Sequence, residues 1–407
     1  MKTHKIFNDP VYGFVQVPYG PLFELVEHRY FQRLRRIKQL SLTHYVYPGA
    51  LHTRFHHALG ALHLMRQTLA NLLGRGIDIS PEESEAVQIA ILLHDIGHGP
   101  FSHTLEHTLI QVHHEELSLL FMERLNEELD GQLDLAIKIF KGQYHKPYLT
   151  QLVSSQLDMD RMDYLNRDSY FTGVSEGVIG YNRLVKMLTV HDDKLVVEEK
   201  GIYSIERFLT ARRLMYWQVY LHKTVLSAEL MLIKCMERAK DLIEQGESLK
   251  APSALCYFLE NRDLTADDFH SRRDELLDIF ARLDDSDIAA AVKEWQYHED
   301  PVLSYLSKGL ANRRLFRLEF SYSPFPESHH QEIRNQLRAA NKLPEAGLPY
   351  FLITGKETNA SYTSSKNEIR ILLKSGEVVP MSQLSDTVVQ PQMFTKYYLC
   401  YPKIGGG

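Results

Sequence analysis

The chain opens with apolar positions alternating with turn residues (IFNDPVYGFVQVPYG), which predicts a short β-hairpin or extended arm over residues 1–20. From Pro21 the apolar spacing becomes helical. Leu22, Leu25 and Val26 form one series with Arg29 and Arg33, and Phe31, Leu34, Ile37 and Leu40 form a second. After the turn region THYVYPGALHTR, a helix is expected from about Phe55 to Leu73, stopping at Gly74 and Gly76. Ser80 stands where an N-cap belongs, with Pro81 at the first helical position and Glu82 and Glu83 at the positive helix end. The helix they start, AVQIAILLHD, is apolar nearly all round and so is expected to be buried centrally, until GHGPFSH ends it.

Helical periodicity continues over 104–130, 133–140, 148–166, 178–190, 204–246, 265–281 and 285–296, with a β-hairpin expected at 194–203. Breaks are expected at 142–147 and 246–253. Beyond about residue 315, segments such as LFRLEFSYSPFP, PYFLITG, EIRILLKSGEVVPM and TKYYLCYP read as strands joined by turns. The expected fold is mainly α: a helical catalytic core over 1–310 and a smaller α+β appendage over 311–407, suited to assembly or regulation, with a flexible end at Gly405–Gly407.

Composition narrows the class. A hydrophobic share of 44% and a charged share of 24% are those of a soluble globular chain, and a net charge of -6 draws the whole molecule neither to nucleic acid nor to a membrane surface, though a local basic pocket fits inside such a shell. The three cysteines are scattered, which fits a reducing compartment. The N-terminus lacks a signal-peptide core, and the run Ile89–Leu93 falls far short of the roughly 20 residues of a membrane span, so a cytoplasmic location is expected.

Histidine changes the picture. Eleven of the 20 lie between His44 and His114, far more than even spacing would place there, and clustered imidazoles point to metal, proton or phosphate chemistry. Adjacent ligand-type residues such as His94 and Asp95 diverge by about 100° on a regular helix, so they meet one point only where the helix ends. Gly97 and Gly99 supply that freedom. His57 and Arg54 share a helix face, as do Asp160, Tyr164 and Arg167 or Asp168.

The ordered set RFxHxLG, HDxGHGPFSH and DxDxxDYxxRD closely resembles the HD-domain phosphohydrolases, and is nearest to their deoxynucleoside triphosphate triphosphohydrolase branch. NDPVYG and FQRLRRIKQL look like that branch too, and the similarity runs from about residue 5 to 225. The resemblance implies His57, His94, Asp95 and Asp160 as ligands of one divalent metal per site. Mn, Fe, Zn, Ni and Mg all suit this donor set, with Mg also arriving on the nucleotide. It implies His114 as the catalytic imidazole, with Glu106 in place of the family's usual aspartate to orient the ring, and His98 and His103 against the α-phosphate.

The resemblance also implies Arg54, Arg161, Tyr164 and Arg212 as phosphate contacts, Gln39 and Leu40 against the deoxyribose, and Asp168 on its 3′-hydroxyl. Tyr216 and Tyr220, on a substrate helix over 204–245, would line the sugar and base pocket, although by spacing alone an aromatic stripe reads as core. Lys5, Asn8, Glu27, Gln32 and Arg35 fall on the branch's regulatory nucleotide pocket, where Glu27 replaces the aspartate that reads guanine. A dimer or tetramer with a nucleotide activator is therefore expected. Without the resemblance, FQRLRR reads as a solvated basic helix face, and His107 and His113 as surface or capping residues. Three activities stay open at this point. They are dNTP hydrolysis to deoxynucleoside and triphosphate; another HD chemistry (a nucleotidase, or a two-metal phosphodiesterase drawing on His98 and His114); and a non-catalytic nucleotide-sensing or nucleic-acid-binding scaffold.

Overall fold

In the computed structural model, which describes residues 3–339, 347–360, 368–384 and 393–403, the opening alternation forms an antiparallel hairpin of β1 (His4–Asp9) and β2 (Gly13–Pro18). The expected end Gly405–Gly407 lies outside the described residues. The helical pattern after Pro21 is interrupted. The helix Pro21–Glu27 stops at His28, whose extended backbone and ring cap a new turn, Arg29–Gln32, that tightens into a 3-10 turn over Arg33–Arg36.

FQRLRR is only in part a solvated face: Arg35 and Arg36 are exposed, but Arg33 is fully buried and its Nη2 donates to the carbonyl of Ile96 at 2.7 Å. Its guanidinium lies over the rings of Phe121 and Phe280 at 5.4 and 5.0 Å, and burial lowers its pKa to about 9. A chain-local pattern could not show this, because the rings that cover Arg33 are distant in sequence.

Two long helices carry the first motifs. Arg54–Gly74 begins at a capping box between Thr53 and His56. Pro81–Leu93 begins at the expected capping box of Ser80 and Glu83, and is buried along almost its whole apolar length before ending at His94. The expected 104–130 helix is split into a 3-10 turn at Ser102–Thr104, a helical turn at Glu106–Leu109 and the helix His114–Glu128, with His113 as N-cap. Likewise 148–166 becomes Pro147–Val153 and Met159–Thr172, because Asp158 leaves the first helix to accept Ser155 N and Arg161 N, both at 2.7 Å, and so caps the second.

The β-hairpin expected at 194–203 sits earlier, as β3 (Leu188–His191) and β4 (Lys194–Glu198). Asp192 and Asp193 both take positive φ in its tight turn. The 204–246 stretch breaks into Ile202–Met215, a π-turn at Tyr216–Tyr220 and Lys223–Glu244. The helices Ser253–Glu260 and Pro301–Ala311 were not expected.

Residues after 311 add the strands β5 (Arg317–Ser321), β6 (Ile353–Ala360), β7 (Arg370–Leu372), β8 (Val378–Pro380) and β9 (Met393–Tyr401), and the helix Glu327–Ala339. β7 pairs in parallel with β4, extending the sheet of the first half to β3-β4-β7-β8, while β5-β9-β6 forms a second sheet. Phe316, Phe351, Ile371 and Cys400 join the same buried core as Leu92 and Met162, so the C-terminal region is built into the helical body. The fold is mainly α, as expected.

Candidate metal centre and substrate cavity

The fold brings together side chains from three helices. His57 comes from Arg54–Gly74, His94 and Asp95 from the end of Pro81–Leu93, and Asp160 from the first turn of Met159–Thr172. His57 Nε2 lies 3.2 Å from His94 Nε2, 3.1 Å from Asp160 Oδ1 and 3.7 Å from Asp95 Oδ2. His94 Nε2 lies 3.3 Å from Asp95 Oδ1 and 3.5 Å from Asp160 Oδ1. Ligands bonded at about 2.1 Å to one ion lie about 3.0–3.4 Å from their neighbours, a range that three of these separations meet and the 3.5 and 3.7 Å ones exceed, and His57, His94 and Asp160 form a group that could hold a metal ion.

The outer ring nitrogens fit the same reading. His94 Nδ1 donates to Ile91 O at 2.6 Å, and His57 Nδ1 faces Asp163 Oδ2 at 2.8 Å, which leaves both Nε2 lone pairs for a cation. Burial opposes a charge on His57, but Asp160 and Asp163 outweigh it and push the ring up to about 10; a bound cation would take that proton's place.

Asp163 escaped the sequence reading, although the i,i+4 spacing to Arg167 was there to see. Arg167 grips it through Nε at 2.9 Å and Nη2 at 3.0 Å, and reaches Asp9 through Nη1 at 2.7 Å. Gly60 makes room for this network, since a Cβ there would overlap Asp163 Oδ1 and the Arg167 guanidinium. Gly60→Ala is therefore expected to destabilise the fold by about 1–3 kcal/mol, measurable as a lower urea midpoint with unchanged slope. Asp163→Asn keeps the shape but weakens the orienting bond to His57. Metal affinity should fall about 10–100-fold in a competition titration with a chelator, and an unchanged affinity would rule out this role.

Gly97 performs the equivalent service on the other side, where a Cβ would strike the backbone of His114, Leu117 and Ser118. Ser118 Oγ donates to His94 O at 2.8 Å and accepts from Gly97 N at 2.9 Å, locking the His–Asp turn to the helix that begins at His114. His114 Nδ1 and backbone N both face Glu106 Oε1 at 2.7 Å. Burial would raise the Glu106 carboxyl, but the bonds from His103 and His114 prevail and hold it far below the usual carboxylate range. The longer Glu side chain therefore still reaches its imidazole.

His98 stacks on His114 with centroids 3.9 Å apart and planes within 17°. With His103 they form a group whose ring nitrogens lie within 4.8 Å of one another and could hold an ion, which keeps the two-metal alternative open. Burial and Arg54 press His98 well below the ordinary histidine pKa. His103 stands at the rim with its side chain 70% exposed.

These groups open onto a cavity of about 770 Å³, large enough for a nucleotide. Of the expected substrate contacts, Gln39, Leu40, Arg54, Arg161, Tyr164 and Asp168 line it. Tyr216 and Tyr220 line it as well, their rings 5.3 Å apart across the π-turn. Arg54 is held by Asp95 and by Ser102 Oγ, the latter at 2.7 Å. Asp168 accepts from Tyr220 OH at 2.8 Å and meets His52 Nε2 at 2.7 Å, so its carboxylate is fixed before any ligand arrives. Arg212 is buried, its Nη1 donating to Gln156 Oε1 at 2.9 Å, and its charge acts on the cavity-lining Tyr164.

Asp285, which the sequence did not mark, fastens two cavity loops by accepting from Lys38 N and Phe101 N, each at 2.9 Å. Of the regulatory set, Arg35 Nε donates to Gln32 Oε1 at 2.8 Å and the guanidinium covers Phe55 at 3.6 Å, with Glu27 acting on its charge. Lys5 and Asn8 are exposed on β1, whose Phe7 meets the same Phe55 ring.

Helices delivering a His, an adjacent His–Asp pair and an Asp to one point define a class, and the chain belongs to the HD-domain phosphohydrolase superfamily. The HD domain family matches residues 54–168 and the HD associated region matches 179–257. A phosphohydrolase from Bacteroides thetaiotaomicron VPI-5482 is similar in structure, with a TM-score of 0.94 at 51% identity over 98% of this chain and 100% of that one. The uncharacterized protein YwfO of Bacillus subtilis is 31% identical over 99% of this chain and 93% of its own length. The human deoxynucleoside triphosphate triphosphohydrolase SAMHD1 is 29% identical over 60% of this chain and 46% of its own. Among the described residues, no helix is long and apolar enough to cross a membrane.

Proposed function

We propose that the protein hydrolyses deoxynucleoside triphosphates to deoxynucleoside and inorganic triphosphate. The observation that supports this reading is that His94, Asp95 and Asp160 line the same cavity as Gln39, Leu40, Asp168 and His114, the last with its Nδ1 facing Glu106. Its similarity to the human triphosphohydrolase supports the substrate class. A divalent ion held by His57, His94, Asp95 and Asp160 would supply Lewis-acid polarisation of the phosphate and an activated water.

The chain's own groups account for the rest. Arg161 and Arg54 neutralise phosphate oxygens, and Tyr164 donates a hydrogen bond. Water adds to the α-phosphorus, the bond to the 5′-oxygen breaks, and His114 delivers a proton to that oxygen from Nε2, its Nδ1 being held by Glu106. His98 and His103 border the same phosphate. Gln39 and Leu40 close on the sugar where a 2′-hydroxyl would project, and Asp168 accepts from the 3′-hydroxyl. Tyr216 and Tyr220 flank the sugar and base.

Purified protein loaded with Mn²⁺ or Mg²⁺ and given each dNTP should release inorganic triphosphate. Release of pyrophosphate or monophosphate instead, at confirmed metal content, would favour another HD chemistry. Lys5, Asn8, Glu27, Gln32 and Arg35 are assigned to an activating nucleotide bound between subunits of a homo-oligomer. Pairing one dNTP with another should then raise the rate.

A further inference from the structure

The cavity extends beyond the groups used above, along Ser41, Thr104, Glu229, Glu357 and Tyr398. Ser41 takes a left-handed φ of 45°, and its Oγ lies 3.0 Å from Thr104 Oγ1. Both hydroxyls act to lower the pKa of the Glu229 carboxyl, which stands on the Lys223–Glu244 helix and lines the cavity with Leu226, Leu230 and Ile233. Glu357 and Tyr398 come from the paired strands β6 and β9.

Burial pushes Glu229 up to about 7 against the two hydroxyls, and the charge acting on it is a like charge, that of Glu357. Glu357 is itself raised by burial. Two carboxyls sharing an apolar wall cost stability, so a structural role does not explain them. Independently, the Oε1 of Gln39 is buried against the same cavity without a protein partner. Glu229 and Glu357 thus add acceptor oxygens to a cavity in which that of Gln39 is also unpartnered, which suits a ligand that brings N–H donors.

We propose that Glu229, together with Glu357 and Tyr398, forms the base-selecting end of the cavity and takes a nucleobase with adjacent N–H donors, guanine foremost, in preference to thymine. The inference rests on the nucleotide reading above. A carboxylate accepts two parallel bonds from guanine N1–H and N2–H, whereas thymine offers one N–H flanked by two carbonyls that repel it. β6 and β9 lie outside residues 54–168 and 179–257, so the selecting wall is partly supplied by chain that the two family matches do not cover.

The test uses the full-length, metal-loaded protein and four dNTP analogues whose 5′-oxygen is replaced by a methylene, leaving the scissile bond uncleavable. Calorimetry should give at least about tenfold tighter binding of the guanine analogue than of the thymine analogue. In E229Q and E357Q the ratio should fall several-fold, mainly by weaker guanine binding. E357Q, on a strand at the cavity wall, reads the same ratio should E229Q fail to fold. Equal affinities for all four bases in the wild type, or an unchanged ratio in the folded variants, would overturn the proposal. Base-selective binding of the analogues without triphosphate release from natural dNTPs would overturn the hydrolase reading alone and leave the base-selecting end standing.

Discussion

Asp160→Ala is expected to abolish turnover and strip the protein of its metal together. Asp160 Oδ1 is the carboxylate oxygen that faces both imidazole nitrogens, at 3.1 and 3.5 Å, so its removal opens the shell on the substrate side and leaves two neutral rings and one carboxylate. Lewis-acid stabilisation of several kcal/mol is at stake, and at 1.36 kcal/mol per decade this means a loss of about 10³–10⁴-fold in kcat. Elemental analysis alongside triphosphate release measures both. Full activity in a variant shown to lack metal would eliminate metal-dependent hydrolysis, and unchanged metal content with lost activity would reassign Asp160 to the reacting water. The helix Met159–Thr172 should survive, because its cap is Asp158 and its buried anchors are Met162 and Leu165.

His114→Ala is expected to lower kcat by about 10²–10⁴-fold, the usual weight of a general acid, while metal content stays at the wild-type value. That separation distinguishes it from Asp160→Ala. Glu106→Gln should move in the same direction by less, since the amide still reaches His114 N but holds Nδ1 without a carboxylate. Glu106 also fixes a pH expectation. Its carboxyl is held below the ordinary range, so the stability it contributes is present above that range and fades only as pH falls through the lowered value in strongly acid solution. Between pH 5 and 8 it stays ionised, and pH dependence of the rate in that window should come from other groups. A wild-type rate in His114→Ala would remove this residue from the chemistry.

The proposed metal ligands were legible to unequal degrees. The His94–Asp95 pair closes an apolar helix and is followed by glycines expected to free the backbone, but neither Gly97 nor Gly99 takes a positive φ, and Gly97 instead admits the close backbone around His114 to Ser118. His57 and Asp160 needed the ordered motif set, since a lone His or Asp on a half-apolar helix has many uses. The residues that went unmarked act through others. Asp163, Ser118 and Asp285 orient ligands, turns and loops through hydrogen bonds spanning 21 to 247 positions in sequence, and periodicity carries no trace of such partners. Element breaks at His28, Asp158 and Leu221 were missed because a cap is chosen by the tertiary path of the chain as well as by local preference.

By itself the sequence determined the helical class, the buried helix Pro81–Leu93 with its capping box, and the kinds of side chain available to hold a cation and move a proton. These follow from apolar spacing, cap chemistry and residue type, all of which are local. Only the tertiary structure decided that Arg33 is buried beneath two phenylalanines, that Arg212 is buried with its Nη1 on Gln156, and that β6 brings Glu357 to the cavity that also holds Glu229. Those outcomes depend on which distant surfaces pack together, and packing is settled by the summed burial of the whole core rather than by any one segment.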